Sequence, residues 1–272
     1  MQRKSFFIAL IVGLAFTAVM TLVFYFTDLD LVITGAFYEA TVPHFPASEV
    51  MPWAWFNEQD KLLIIPVAAI VLLLIIAGAS VKKLRPFLIY GLFMLFSYLI
   101  GPGLIVNLLF KGMFIGDFYI GWARPRPREI TLFSGTKDFY KVWEPAFLNP
   151  ANIDDNSSFP SGHVTVGAIF IVIFFAFNNV EFISRILGER TRGKIIVINM
   201  IKYAGLVVSI ILGLLLALSR ISSGAHFASD CMYSFVFTWL PTAVLYYWIF
   251  KIPDKEKQYL ERLDSAAATS SK

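Results

Sequence analysis

The chain has 272 residues, 57% of them hydrophobic and 15% charged, with a formal net charge of +4. Soluble domains carry roughly 25% charged residues, so a water-soluble globule is excluded and the chain is counted in membrane spans. The basic residues fall in short clusters between apolar runs and not in a stripe, which argues against nucleic acid as a partner. One cysteine, Cys231, rules out an internal disulfide or a cysteine-rich metal site.

Six stretches lack Asp, Glu, Lys and Arg and are long enough, at 17 to 25 residues, to cross a hydrocarbon layer about 30 Å thick. They are Ser5–Phe26, Leu62–Val81, Pro86–Phe110, Val164–Val180, Tyr203–Ser219 and Cys231–Phe250. The first follows Gln2-Arg3-Lys4 and so has some likeness to a secretory signal. Its apolar run is longer than a signal core and no A-x-A site follows, so an uncleaved span is expected. The whole is expected to be one transmembrane domain over residues 1–272, an all-α six-helix bundle.

Loop charges give the orientation. With a cytoplasmic N-terminus, every inside segment is basic: Arg3-Lys4, then Lys82-Lys83-Arg85, then Arg185, Arg190, Arg192 and Lys194, then Lys251, Lys255, Lys257 and Arg262. Both termini are then inside. Of the outside segments, Thr27–Lys61 obeys the rule. Lys111–His163 and Arg220–Asp230 break it with Lys111, Arg124, Arg126, Arg128, Lys137, Lys141 and Arg220. Cations placed against the topological trend need a local reason, and an anionic substrate supplies one.

Three groups of residues share this outer side. Lys111 is followed by Arg124-Pro125-Arg126-Pro127; Pro160-Ser161-Gly162-His163 opens the fourth span; Ser219-Arg220, His226 and Asp230 join the fifth and sixth. Together they suit phosphoryl transfer, where the protein's work is to position the phosphate and stabilise charge on its oxygens. Arginine forks match those oxygens and lysine adds a point charge. Ser161 and Gly162 lie where a helix begins, whose free N–H groups favour an anion. His226 and Asp230 stand at i and i+4, which on a helix puts the carboxylate beside the imidazole as an orienting acceptor. His226 is then the nucleophile, and His163 the acid that protonates the departing oxygen and later activates water. Each feature alone has a structural reading: Asp230 as a helix cap, Pro160-Ser161 as a helix start, the arginines as a headgroup patch. The third histidine, His44, is expected at the surface.

These residues resemble the type 2 phosphatidic acid phosphatases, relatives of the vanadium haloperoxidases and bacterial acid phosphatases. The family signature runs Lys-x6-Arg-Pro, Pro-Ser-Gly-His, then Ser-Arg-x5-His-x3-Asp. The second and third elements match in full at Pro160–His163 and Ser219–Asp230. The resemblance implies a six-helix core, catalysis by His226, His163 and Asp230, and phosphate held by Lys111, an Arg-Pro arginine, Ser161, Gly162 and Arg220, with no metal or cofactor. The first element departs from the pattern, because Lys111 precedes Arg124 and Arg126 by more than the family spacing. An insertion within Gly112–Gly121 that loops out accounts for this. Arg126 is favoured as the ligand, leaving Arg124 to the same anion or to a headgroup. Phe133-Ser134-Gly135 and Gly224-Ala225-His226-Phe227 look like the bacterial branch that includes lipid A phosphatases.

The expected activity is metal-independent removal of phosphate from a membrane lipid through a phosphohistidine, at the periplasmic face of a bacterial inner membrane. Candidate lipids are lipid A, phosphatidylglycerophosphate, phosphatidic acid and undecaprenyl diphosphate. The alternatives are a lipid-to-lipid phosphotransferase with the same first half-reaction and a non-catalytic phospholipid-binding membrane protein.

Overall fold

A computed structural model describes residues 2–58, 60–115, 118–153, 157–188 and 191–270. The protein is all-α, with one two-stranded antiparallel sheet among the described residues. Three helices are each long and apolar enough to cross a membrane, and six spans result if each of three bent helix pairs counts as one. All six expected stretches are helical, with shifted boundaries.

α1 (Gln2–Phe26) turns through 78° into α2 (Leu29–Gly35). After α3 (Trp53–Glu58) come α4 (Asp60–Ser80) and α5 (Arg85–Tyr98), the latter continued by π-helix over Leu99–Phe110. The π turns contain Pro102, which cannot donate the ordinary helical bond and widens the coil. β1 (Met113–Ile115) and β2 (Phe118–Ile120) pair in register Phe114 to Tyr119. The segment expected to hold an insertion thus carries two paired strands, and residues 116 and 117 lie outside the described residues. The fourth span is broken into α6 (Gly162–Ala168) and α7 (Ile171–Ala176), then bends 72° into α8 (Val180–Ile186). α9 (Arg192–Ser222) is a single helix of 31 residues, much longer than the expected fifth span. α10 (Ala228–Val244) continues as π-helix over Leu245–Ile249 and is followed by α11 (Ile252–Ser270). Of the cations assigned to inside loops, Arg190 falls outside the described residues.

Apolar residues stay exposed along these helices: Ile11, Phe16, Leu73, Ile211 and Leu214 are all more than half accessible. In water such a surface would aggregate; in a bilayer it is ordinary contact with lipid tails. Helices that are apolar all round are the signature of such spans.

Residue contacts divide the chain into two compact units. The first holds Met1–Glu58, Ile105–Val164 and Leu215–Val236. Its core joins Phe45, Ile130, Phe133 and Phe227, with a second cluster of Val164, Ala217, Ile221 and Cys231. Trp143 packs edge-on against Phe110, Trp122, Phe159 and Tyr233.

The second unit holds Gln59–Leu104, Thr165–Leu214 and Phe237–Lys272. Here small residues let backbones touch, as membrane packing favours. A Cβ on Gly78 would lie 2.6 Å from the Leu88 backbone, and one on Gly167 would lie 2.4 Å from that of Gly213. α11 carries Asp254, Lys255, Glu256, Lys257, Glu261, Arg262 and Asp264, so it lies beyond the hydrocarbon-spanning part of α10. It is anchored by Glu256, which is buried and accepts hydrogen bonds from Tyr90 Oη and, at 2.9 Å, from Asn179 Nδ2.

Burial pushes the Glu256 carboxyl up to about 7, against the pull of the Tyr90 and Asn179 hydrogen bonds. The folded chain therefore holds a proton that the unfolded chain, at its usual 4.5, gives up first. This contribution to stability is present below about pH 4.5 and is lost as pH rises to about 7. Thermal unfolding of Glu256→Gln in detergent should show a flatter dependence of Tm on pH across that window than the natural chain. An identical slope in the two proteins would show that Glu256 does not titrate there.

Candidate active site

Every residue proposed from the sequence for chemistry lies in the first unit. The turn that presents His226 is fixed by helix termination. α9 ends in a left-handed residue, Gly224 (φ +61°), with Gly224 N–H bonded to Ile221 O at 3.0 Å and Ala225 N–H to Arg220 O at 3.0 Å. These two bonds satisfy carbonyls the helix end would leave open. Glycine is needed at 224 for its φ and because a Cβ would lie 2.5 Å from the Phe45 ring. His226 N–H closes on Arg220 O as well, so the histidine is tied to the last turn carrying Arg220.

His226 is fully buried, and its Nδ1 meets the Ser158 carbonyl oxygen at 2.5 Å. A carbonyl can only accept, so Nδ1 carries the hydrogen and Nε2 of the neutral ring holds a lone pair. Nε2 is buried without a hydrogen-bond partner among the described residues, as is the Ser161 hydroxyl. Burial, and then the charges of Arg220, Lys111 and Arg126, hold the His226 pKa well below its usual 6.5. The ring stays neutral at physiological pH. Arg220, Lys111, Arg126 and His163 all lie near this ring.

Their placement follows from the helix starts and ends. His163 is the second residue of α6 and hydrogen-bonds the Asn57 backbone. A Cβ on Gly162 would lie 3.3 Å from Lys111 Nζ and 3.0 Å from Asn107 Oδ1, so the glycine gives the ammonium room beside the α6 N-terminus. Arg220 donates from Nη1 to Asn57 Oδ1 at 3.1 Å, and Ser219 Oγ donates to the same oxygen at 2.9 Å. Asn57, on α3, was not among the sequence candidates. Nothing local distinguishes it; it is found only through its contacts. Arg126, 7% exposed, has an extended backbone whose N–H is bonded to Glu129 Oε2 at 3.1 Å.

Two expectations are corrected. Asp230 makes no direct bond to the His226 ring. The i to i+4 argument assumed helix through 226, but α10 begins at Ala228 and His226 belongs to the preceding turn. The Asp230 oxygens instead accept from Arg124 Nη1 at 2.6 Å, Ser158 Oγ at 2.5 Å and Phe227 N–H at 2.7 Å. Asp230 thus reaches His226 through Ser158.

The second correction concerns Arg124, expected at a phosphate or headgroup. It is wholly buried and committed elsewhere: Nη2 to Asp30 Oδ2 at 2.9 Å, Nη1 to Asp230 and to Ser229 Oγ at 2.9 Å, and Nε to Tyr140 O at 2.9 Å. Its guanidinium also lies 4.4 Å from the Phe227 ring centroid. The two carboxylates outweigh burial and raise its pKa, so it is always charged. Asp30, 1% exposed, was likewise not foreseen.

The all-α fold, with helices apolar enough to cross a membrane, brings a buried His226 close to His163, Lys111, Arg126 and Arg220. Residues 86–254, more than half of the chain, match the PAP2 superfamily, and the chain belongs to that superfamily. It is similar to the lipid A 4'-phosphatase of Francisella tularensis subsp. novicida (strain U112), with 27% identity over 222 residues, 81% of this chain and 86% of that protein. No solved structure matches. The protein is a lipid phosphatase, an enzyme that acts on a phosphorylated lipid in a membrane.

Removing one member of a buried ion cluster strands its partners and costs about 3–5 kcal/mol. Arg124→Ala should therefore lower Tm and folded yield sharply, while Gly13→Ala, where an added Cβ meets nothing within 4 Å, should leave both unchanged. Normal stability of Arg124→Ala, with weakened binding of phosphate alone, would return this arginine to the role first expected of it.

Proposed function

We propose that the protein removes a phosphate from the headgroup of a lipid A-type glycolipid through a phosphohistidine on His226. The supporting observation is the buried His226 Nε2, without a hydrogen-bond partner and carrying a lone pair, close to Lys111, Arg126, Arg220 and His163. The likeness to a lipid A 4'-phosphatase over 81% of the chain supports the substrate class.

The phosphate lies against the Ser161 hydroxyl and the α6 N-terminus at Gly162, with Lys111, Arg126 and Arg220 neutralising its oxygens. Burial and the charges of Arg220 and Lys111 lower the His163 pKa to about 3, so the lipid phosphate enters as its monoanion and passes its proton to that ring. The Nε2 lone pair of His226 attacks phosphorus, and the bond to the lipid oxygen breaks as His163 gives that oxygen the same proton. Water then attacks phosphorus and yields its proton to His163; inorganic phosphate leaves and both imidazoles return to their starting state. Asp230 serves as a positioning residue through Ser158. The side chains that hold the phosphate supply the positive charge, so no metal enters the scheme.

The chain acts as one phosphatase domain, a reading supported by the family match, which runs through both compact units. In the orientation set by the loop charges, the site opens on the periplasmic side of a bacterial inner membrane. Lipid tails remain in the bilayer while the phosphate enters.

The test is purified protein with lipid A labelled in its phosphate, beside phosphatidylglycerophosphate, phosphatidic acid and undecaprenyl diphosphate. Free phosphate should appear fastest from lipid A, with vanadate inhibiting and EDTA without effect. Transfer of label to another lipid would instead establish the phosphotransferase. His226→Gln should abolish turnover and the acid-labile phosphoenzyme while retaining lipid binding, and His163→Gln should lose about 10²–10⁴-fold. Full turnover by His226→Gln would remove the histidine from the mechanism.

A further inference from the structure

Asp30 lies far from His226 in sequence, and its hydrogen bonds go to Arg124 and Ser229 and not to the ring. It is nonetheless one of the most completely bonded carboxylates in the first unit. Oδ1 accepts from the Ser229 N–H at 2.9 Å, and Oδ2 accepts from Ser229 Oγ at 2.5 Å and from Arg124 Nη2 at 2.9 Å. Ser229 is the second residue of α10, so Asp30 caps that helix from another segment. Arg124 then spans to Asp230, and Asp230 binds Ser158 Oγ. The Ser158 N–H is bonded in turn to the Arg124 carbonyl at 2.6 Å. The Ser158 peptide, whose oxygen takes the Nδ1 hydrogen of His226, is thus gripped at two points by a cluster that Asp30 completes.

We infer that Asp30 is a positioning residue for the nucleophilic histidine, acting through Arg124, Asp230 and Ser158 to fix the ring's tautomer and aim. This rests on the phosphohistidine reading above. Without Asp30 the guanidinium keeps one carboxylate, the α10 N-terminus loses its acceptor, and the carbonyl that selects the Nδ1–H form is free to shift. A nucleophile misplaced by about 1 Å loses on the order of 100-fold in rate.

Asp30→Asn, as the full purified chain with active sites counted by phosphoenzyme formation, should lose about 100-fold in kcat per active site with KM changed less than about twofold. In ¹⁵N-histidine NMR the His226 signals should leave the pure Nδ1–H pattern. A merely structural Asp30 would give fewer active molecules, each with natural kcat and natural ring signals, and that result overturns the inference. If Asp30→Asn does not fold, Ser229→Ala cuts one link and keeps every charge; unchanged kcat and unchanged ring signals there would equally overturn it. Turnover by His226→Gln would defeat the phosphohistidine reading separately, since the ring signals report on positioning whatever the nucleophile.

A different observation, in the second unit, carries a second inference. A cavity of 460 Å³ is lined by Lys82, Arg85 and Lys255 together with Phe182, Tyr259 and Glu256. The three cations are exposed and make no ion pair among the described residues. The one carboxylate in the lining is already committed to Tyr90 and Asn179. Exposed cations beside less exposed aromatic side chains in one lining suit an anion that carries an apolar tail. The cavity lies where α4 gives way to α5 and α11 begins, at the polar ends of membrane helices. The geometry points to a binding site for an anionic phospholipid, distinct from the phosphatase site.

The probe is phosphatidylglycerol, a phosphodiester without the terminal phosphate that the catalytic site takes. Native mass spectrometry from phosphatidylglycerol–phosphatidylcholine micelles should show selective retention of phosphatidylglycerol. Selectivity should drop about fivefold for each charge removed by Lys82→Gln, Arg85→Gln and Lys255→Gln, with kcat on soluble phosphomonoesters unaltered. Equal retention of both lipids, or of phosphatidylglycerol by the triple variant, would overturn the proposal. Displacement by millimolar inorganic phosphate would also overturn it, by identifying a soluble anion as the occupant.

Discussion

One guanidinium holds the first unit's polar interior together. Arg124 sits without solvent between Asp30 and Asp230 and spends every nitrogen on a protein acceptor. An isolated buried charge is prohibitively costly, and even a pair repays its desolvation only when all lone pairs and protons are matched. Here they are matched, with two serines, a backbone carbonyl and two backbone N–H groups completing the set. The cluster's worth is therefore less in net stability than in specificity: the arrangement tolerates no alternative in which a member is left over. It draws α2, the segment before α6 and the start of α10 into one register.

That constraint separates two kinds of cation. Arg124 is neutralised by the carboxylates beside it. Arg220 and Lys111 lie near His226, where their charges add to the larger effect of burial in holding its ring neutral. A positive field around a neutral imidazole with an unshared pair suits an approaching anion, whose charge the field attracts and whose phosphorus the pair can reach. In the proposed mechanism the carboxylates stay behind the nucleophile and the cations in front of it. Ser158 links carboxylate to nucleophile, its hydroxyl bonded to Asp230 and its carbonyl to the His226 ring.

The spans were legible because an apolar run without charges is a one-dimensional signal, and all six appear as helix. Their ends were less so. α9 runs past its apolar stretch because Arg192, Lys194 and Lys202 do not break a helix; they only end the hydrophobic signal. The histidines, Arg220 and the Ser-Gly pair were legible because each sits in a short motif. The roles of Arg124 and Asp230 were misjudged for a shared reason. Arg124 and Arg126 are equivalent in local sequence, and what divides them is Asp30, 94 residues away, and Asp230, 106 residues away. Asp230 seemed adjacent to His226 only under an assumption of helix that the turn at Gly224 sets aside.

The turn also explains why a carboxylate four residues on is useful without touching the ring. Had the helix run unbroken through His226, the imidazole would lie along its flank, and its free nitrogen would compete with the helix surface for access. Ending α9 at Gly224 and restarting at Ala228 instead puts His226 between two helix termini. Its backbone is tied to the turn carrying Arg220, while its ring is tied to Ser158 from another segment. The ring is fixed from two sides, and Nε2 alone is left over. In the proposed mechanism, a helix break placed there fixes the direction and tautomer of the attacking ring together and adds no negative charge beside it.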